Sequence, residues 1–89
     1  SDCMEVHFTP HFLRQLAKLE VPLANEAIDA VELFKDKNNH VKLKVHALHG
    51  KLQGLYSFSV NYSYRILFEY GDSKDEVFLV KVGNHDMYK

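Results

Sequence analysis

Residues 62–83 read YSYRILFEYGDSKDEVFLVKVG, two strand-like runs on either side of a short polar turn. The first run alternates between two sets of side chains that a strand places on opposite faces: Tyr64, Ile66, Phe68 and Tyr70, and Arg65, Leu67 and Glu69. The GDSKD segment is typical of a hairpin turn, and EVFLVKVG completes the pair. This stretch therefore predicts an antiparallel hairpin in the C-terminal half of the chain.

The residues before this hairpin predict two helices between two further strands. MEVHF (4–8) alternates like a strand, and Thr9-Pro10 favours a helix start, because a hydroxyl caps free N–H groups and proline suits the first turn. Apolar spacing predicts a first helix to about residue 20 and a second, opened by Pro22, to about residue 36. LYSFSV (55–60) reads as the strand that precedes the hairpin.

The order β-α-α-β-β-β predicts an α+β fold, an antiparallel sheet with an N-terminal helical hairpin packed on one face. Eighty-nine residues suffice for one core, so we expect one domain over residues 1–89, with residues 1–3 either frayed or added ahead of a plausible initiator Met4. The chain has no long apolar run, and its single cysteine, Cys3, cannot form an internal disulfide. A cytoplasmic protein without a membrane partner is expected.

Charge is unevenly distributed along the chain, although the net charge is only −1. Residues 1–39 carry four Lys/Arg against seven Asp/Glu, a net −3, and residues 40–89 carry seven against five, a net +2. In the stretch 40–70, Glu69 alone opposes four cations: Lys42, Lys44, Lys51 and Arg65. The chain as a whole is not a polycation, but an anionic ligand is expected to meet this stretch.

Six histidines offer proton transfer near neutral pH. Three of them are expected on the surface: His7, His11 and His40. His46 and His49 form an H-x-x-H pair, which is a weak zinc signal without a cysteine partner, so we predict no metal site. His85 follows a strand end and a glycine, where loops commonly carry function; the alternative is a polar residue of the tail.

Arg65 places a guanidinium in the middle of an otherwise apolar strand. It either pairs with Glu69 on its own side of the strand, or emerges on the uncovered face of the sheet to receive phosphate. The second role suits the planar fork of donors of an arginine.

Taken together, these groups suit cleavage of RNA by its own 2′-hydroxyl, a reaction that needs no metal. It needs a base, an acid, and cationic donors for the charged phosphorane. Two histidines can share the first two tasks, and Arg65 or Lys51 can perform the third. Tyr88 can stack on a base or assist proton transfer.

Three motifs carry a resemblance to a known family. They are Leu48-His49-Gly50-Lys51-Leu52, Tyr64-Arg65-Ile66, and the late residues Gly83, His85, Tyr88 and Lys89. With the same order of elements from Met4 to the end, the chain resembles the RelE/ParE superfamily of type II toxin–antitoxin toxins, and in particular the RelE-like and YafQ-like mRNA interferases.

The resemblance implies a metal-free and cofactor-free endoribonuclease that cuts mRNA in the ribosomal A site. It assigns four catalytic positions: His46 as base, His85 as acid, Arg65 as transition-state stabiliser and Tyr88 as stacking or assisting group. Lys44 and Lys51 are expected to bind RNA phosphates, and either His46 or His49 faces the substrate. Ser57 and Ser59 stand where RelE itself carries lysines, which favours histidine-based acid–base chemistry.

The implied partners are a cognate antitoxin, the ribosome with its mRNA, and operator DNA only through the antitoxin. Two alternatives remain at this point. One is a ParE-like toxin that inhibits DNA gyrase without cutting RNA, and the other is a catalytically inactive binding member of the fold.

Overall fold

The computed structural model of the chain describes residues 2–84 and Asp86. Within them lie two α-helices and five strands, in the chain order β1 (Glu5–Phe8), α1 (Pro10–Ala17), α2 (Val21–Phe34), β2 (His46–Ala47), β3 (Tyr56–Ser59), β4 (Tyr64–Tyr70) and β5 (Glu76–Asn84). Short 3₁₀ helices cover Lys37–Asn39 and Gly50–Leu52. The predicted α+β order is confirmed, with β2 as an additional two-residue strand that the predicted order does not include. Neither helix is long and apolar enough to cross a membrane.

Thr9 begins α1 in the way that the sequence predicts. Its Oγ1 accepts a hydrogen bond from the Phe12 N–H at 3.2 Å, and Pro10 occupies the first helical turn. The same hydroxyl donates to the Leu79 carbonyl of β5 at 2.7 Å. One side chain therefore caps the helix and joins its start to the sheet.

The five strands form one sheet in the order β1-β5-β4-β3-β2. Four of them pair antiparallel, as predicted, whereas β1 runs parallel to β5, with Val6 opposite Val77 and Phe8 opposite Leu79. The alternation of MEVHF shows that one side of β1 is apolar, but it carries no information about the direction of its partner strand. The sheet is thus mixed at this edge.

The core lies between the helices and one face of the sheet. Phe34 of α2 stacks on Phe58 of β3, with ring centroids 4.2 Å apart and planes 6° from parallel. The remaining buried core residues of the helices and of β3, β4 and β5 are Phe12, Ala27, Ala30, Val31, Ile66, Phe68, Val77, Leu79 and Val82. The predicted two faces of β4 are confirmed, because Ile66 and Phe68 point into this core.

A β-bulge interrupts the pairing of β4 with β5. Leu67 lies opposite Lys81 and Phe68 lies opposite Leu79, so Val80 is an extra residue on β5. Such an insertion reverses the facing of every residue that follows it on the strand.

The bulge decides which face Lys81 occupies. Strict alternation from Val77 and Leu79 would send Lys81 towards the helices and Val82 away from them. In the structure, Val82 is buried in the core and Lys81 is exposed on the opposite face, in line with Leu67. A charged side chain is thereby kept out of the core.

Candidate functional site

The candidate site occupies the face of the sheet that lies opposite the helices, which we call the second face. Its residues follow from the strand register and are Ser57, Ser59, Arg65, Leu67, Glu69 and Lys81. Ser57 and Leu67 are 0% exposed, Arg65 is half-buried, and Glu69 and Lys81 are exposed. The expectation of an uncovered face is therefore wrong for the middle of the second face and right for its margins.

Arg65 is held by the backbone of the loop between β3 and β4. Its Nη1 donates to the carbonyls of Asn61 at 2.6 Å, Tyr64 at 3.0 Å and Tyr62 at 3.2 Å. Among the residues that the structure describes, Nε and Nη2 of Arg65 have no hydrogen-bond partner. The guanidinium is thus anchored at one nitrogen and keeps donors for a ligand.

Asn61 shapes the loop that supplies these carbonyls. Its Oδ1 accepts from the backbone N–H groups of Ser63 and Tyr64, both at 2.9 Å, in the manner of an Asx turn. The backbone N–H of Val60 also donates to the Tyr64 carbonyl at 2.9 Å, which closes the hairpin. The carbonyls around Arg65 are therefore fixed by the turn before any ligand arrives.

The alternative of an ion pair between Arg65 and Glu69 is not what the structure shows. The two residues lie on the same side of β4, but no salt bridge joins them within the described part of the chain. Carbonyl groups orient the guanidinium without cancelling its charge. The positive charge of Arg65 is therefore not neutralised by Glu69 and is available to a ligand at the margin of the second face.

His46 has a fixed tautomer. Its Nδ1 lies 2.7 Å from the carbonyl oxygen of Lys44, and since a carbonyl only accepts, Nδ1 carries the proton. The neutral ring then has its lone pair on Nε2, which is the arrangement that a general base requires. His46 is exposed, so this nitrogen is accessible to a substrate.

The position of His46 depends on an unusual backbone conformation at Lys44. Lys44 has φ 58°, in the left-handed region that lysine rarely adopts. It ends the turn after the Lys37–Asn39 helix, and its carbonyl accepts from His46 two residues later. Lys44 thus has a backbone role besides the phosphate contact that the sequence suggests.

Arg65 and His46 share the second face without touching. Ser57 pairs with His46 on one side and with Leu67 on the other, and Arg65 lies two residues from Leu67. Two strand spacings and two residue steps separate the Cα atoms of His46 and Arg65 by roughly 12 Å. A substrate between them is needed for both to act on one phosphodiester. His49 lies beyond β2, before the Gly50–Leu52 helix.

Two predicted residues, His85 and Tyr88, lie outside the described residues. The strand that leads towards them is described: Gly83, two positions before His85 in the sequence, pairs with Arg65. Lys44 and Lys51 are both exposed, on either side of β2. No group of three ligand side chains within residues 2–84 includes His46 or His49.

Lys81 is a cation of this face that sequence reasoning missed. It lies in the row of Ser57 and Leu67, two residues along β5 from Gly83, which pairs with Arg65. Its position could not be read from alternation, because the bulge at Val80 reverses the pattern. Tyr62 was also missed; it is 91% exposed in the loop whose carbonyls hold Arg65.

Comparisons with known proteins agree with this architecture. No curated protein matches the chain in sequence. Among solved structures, the chain is similar to the RelBE2 toxin–antitoxin complex of Mycobacterium tuberculosis, with 24% identity, a TM-score of 0.68 and coverage of 92% of this chain and 98% of that one. It is also similar to the archaeal RelE–RelB complex of Pyrococcus horikoshii, with 15% identity, a TM-score of 0.69 and coverage of 92% and 94%. It is similar as well to a YafQ mutant from E. coli, with 13% identity, a TM-score of 0.66 and coverage of 94% of this chain and 96% of that one.

These structures share the fold, and a family match supplies the relationship. The family described as RelE-like toxin of type II toxin–antitoxin system HigB matches residues 7–83, which is well over half of the chain. The match runs from β1 through the bulge to Gly83 and so includes both His46 and Arg65. The predicted RelE resemblance is confirmed: the chain belongs to the HigB-like branch of the RelE toxins of type II toxin–antitoxin systems.

Proposed function

We propose that this toxin is an mRNA interferase, an endoribonuclease that cuts mRNA on the ribosome by metal-free acid–base chemistry. Family membership supports the class of protein. The observation that carries the proposal is the Nδ1–H of His46 donating to the Lys44 carbonyl, because in the neutral ring this hydrogen bond places the lone pair on Nε2, on an exposed residue, where a base needs it.

In the proposed first step, His46 Nε2 takes the proton of a ribose 2′-hydroxyl. The 2′-oxygen attacks the adjacent phosphorus, and the bond from phosphorus to the 5′-oxygen breaks. The products are a 2′,3′-cyclic phosphate and a 5′-hydroxyl end. The leaving 5′-oxygen must receive a proton, for which we propose His85, with Tyr88 stacking on a base or assisting the transfer.

Arg65 is the proposed stabiliser of the phosphorane. Its Nη1 is engaged by three carbonyls, and Nε and Nη2 are left to donate to the non-bridging phosphate oxygens. Because the anchoring carbonyls are already in place, the charge needs no reorganisation as the transition state forms. The pairing of Gly83 with Arg65 supports an acid from the following residues acting beside this phosphate.

Three lysines would guide the RNA towards this centre. Lys44 and Lys51 flank His46, and Lys81 extends the positive charge across the second face towards Arg65. Such contacts bind phosphates independently of sequence and weaken as salt rises. We also propose a cognate antitoxin that covers this charged surface and carries the pair to operator DNA, in keeping with the solved toxin–antitoxin complexes of the same fold.

The test is a cleavage assay with purified protein, ribosomes and a defined mRNA. Wild type is expected to cut the message, and His46→Ala and Arg65→Ala are each expected to lower the cleavage rate by about 10²-fold or more. Primer extension maps the cuts to codons, and circular dichroism verifies that the variants are folded.

Intact mRNA beside arrested growth and DNA damage signalling would instead indicate a gyrase inhibitor. Intact mRNA with no growth arrest would indicate an inactive member of the fold. Equal cleavage by all three proteins would show that the site is wrongly assigned even though the activity is right.

A further inference from the structure

A second cluster of ionisable side chains lies where β1 pairs with β5, at the opposite end of the strand order from His46. His7 Nε2 is 2.9 Å from Glu5 Oε2 and 2.9 Å from Glu76 Oε2. One ligand atom from each of the three residues lies within 4.8 Å of the other two. The sequence predicts His7 as a simple surface residue, and this grouping is not visible there because Glu76 is 69 positions away.

The cluster places two carboxylates against each other. Glu5 and Glu76 are direct partners in the parallel pairing of β1 with β5. Like charges directly opposite one another destabilise a sheet unless a cation lies between them. His7 offers a single Nε2 to two carboxylates, whereas a divalent ion can bind all three groups and balance both negative charges.

The side chains of the cluster are held in place by their surroundings. The imidazole of His7 stacks on Phe78, with ring centroids 4.7 Å apart. The second carboxylate oxygen of Glu76, Oε1, accepts from the backbone N–H of Asp72 at 3.2 Å, so Oε2 is directed at His7. Supporting contacts of this kind orient the ligands of metal sites in proteins.

Gly71 makes room for the Glu76 carboxylate. A Cβ at position 71 would collide with the end of the Glu76 side chain, although Gly71 is not among the residues with positive φ. A glycine is therefore needed here because it has no side chain to collide with Glu76, and not because it can adopt a positive φ. The space that holds Glu76 against His7 is built into the backbone of the β4–β5 turn.

We infer that Glu5, His7 and Glu76 bind a divalent transition-metal ion, with zinc as the best match. An imidazole nitrogen and carboxylate oxygens are ligands that zinc accepts, and three protein ligands leave a position for water. The ligand atoms are already close enough for an ion to be bound after small rotations of the exposed Glu5 and the half-buried His7 and Glu76 side chains. The site joins β1 to β5 and takes no part in the proposed RNA cleavage.

Isothermal titration of tag-free, chelator-treated protein with ZnCl₂ tests the site. One zinc ion per chain is expected for wild type. His7→Gln and Glu76→Gln each remove a ligand and should weaken binding by well over about tenfold, and Gly71→Ala should weaken it by about tenfold through the displaced Glu76. His11→Gln is the matched control, because His11 is an exposed histidine outside the cluster, and it should bind as wild type does.

A double variant, His46→Gln with His49→Gln, separates this site from the H-x-x-H pair. Retained zinc binding in the double variant, with loss in His7→Gln, supports the proposal. It is overturned if wild type binds no zinc stoichiometrically, if His7→Gln binds as wild type does, or if only the double variant loses binding. Circular dichroism of each variant distinguishes a lost site from a lost fold, and none of these outcomes depends on RNA cleavage.

Discussion

The two ends of the sheet hold their basic side chains in different ways. At the β1–β5 end, His7 is surrounded by the carboxylates of Glu5 and Glu76. At the β2–β4 end, His46 and Arg65 are held by backbone carbonyls. A carboxylate neutralises a cation that it orients, whereas the carbonyls around Arg65 orient the guanidinium and leave its charge in place. The first end is therefore suited to bind a cation, and the second to bind an anion such as phosphate.

The largest expected effect on this comparison comes from replacing the guanidinium of Arg65 with the ammonium group of a lysine. Arg65→Lys keeps the charge, but a single ammonium cannot bond the loop carbonyls and a phosphate as the guanidinium fork does. We expect ribosome-dependent cleavage to fall by about 10²–10³-fold. Lys81→Arg is the matched control and should cleave as wild type does. Full cleavage by Arg65→Lys would show that only the charge matters.

The orientation of the His46 ring depends on the backbone conformation of Lys44, which a substitution at Lys44 can change. Lys44→Pro cannot adopt a φ of 58° and loses the N–H that donates to the Val41 carbonyl at 3.0 Å. Displacing the imidazole should lower cleavage by about 10²-fold. Lys44→Gly keeps the conformation and removes only the side chain, so it should retain most activity at low salt. Equal loss in both variants would instead assign the effect to the lysine side chain.

The loop that anchors Arg65 is tested by Asn61→Ala. This change removes the acceptor of two backbone hydrogen bonds and should lower the free energy of unfolding by about 1–2 kcal/mol, measured by urea denaturation. Asn61→Asp retains an acceptor oxygen and should lose much less. An alanine variant as stable as wild type would mean that the turn does not need this side chain.

The smallest expected effect is a pH dependence at the other end of the sheet. The hydrogen bond to Glu76 and the interactions with Glu5 raise the pKa of His7 above its ordinary value of 6.5. The protonated ring therefore stabilises the fold fully below that value, and this contribution disappears as pH rises through the raised pKa. In EDTA, the difference in melting temperature between wild type and His7→Gln should shrink from pH 6 to pH 8. A difference independent of pH would argue against a charged His7.

The fold was largely predictable because its signals are local. The two faces of β4 follow from alternation between Ile66 and Arg65, and the start of α1 follows from Thr9-Pro10. What could not be predicted depends on pairings between distant segments. The register of β5 sets three features: the parallel direction of β1, the contact between His7 and Glu76, and the face of the sheet on which Lys81 lies. This register leaves no periodic pattern in the sequence.

The candidate site was predictable in part for the same reason. Arg65 is conspicuous as a cation in an apolar strand, and His46 stands out as a titratable group in a positive stretch. That each would be oriented by a carbonyl could not be read from the sequence, because the partners depend on the left-handed turn at Lys44 and on the hairpin loop.

The extra residue at Val80 also divides β5 into two segments that can be engineered independently. Upstream of it, odd-numbered positions belong to the interior, and downstream of it they belong to the opposite surface. A library randomised at Lys81 and Gly83 would remodel the surface beside Arg65 while leaving the hydrophobic interior intact. Deleting the single codon for Val80 would turn the bulge into regular pairing, with Lys81 still opposite Leu67 and Val82 still in the interior, so the strand can lose this residue without changing which side chains face the core.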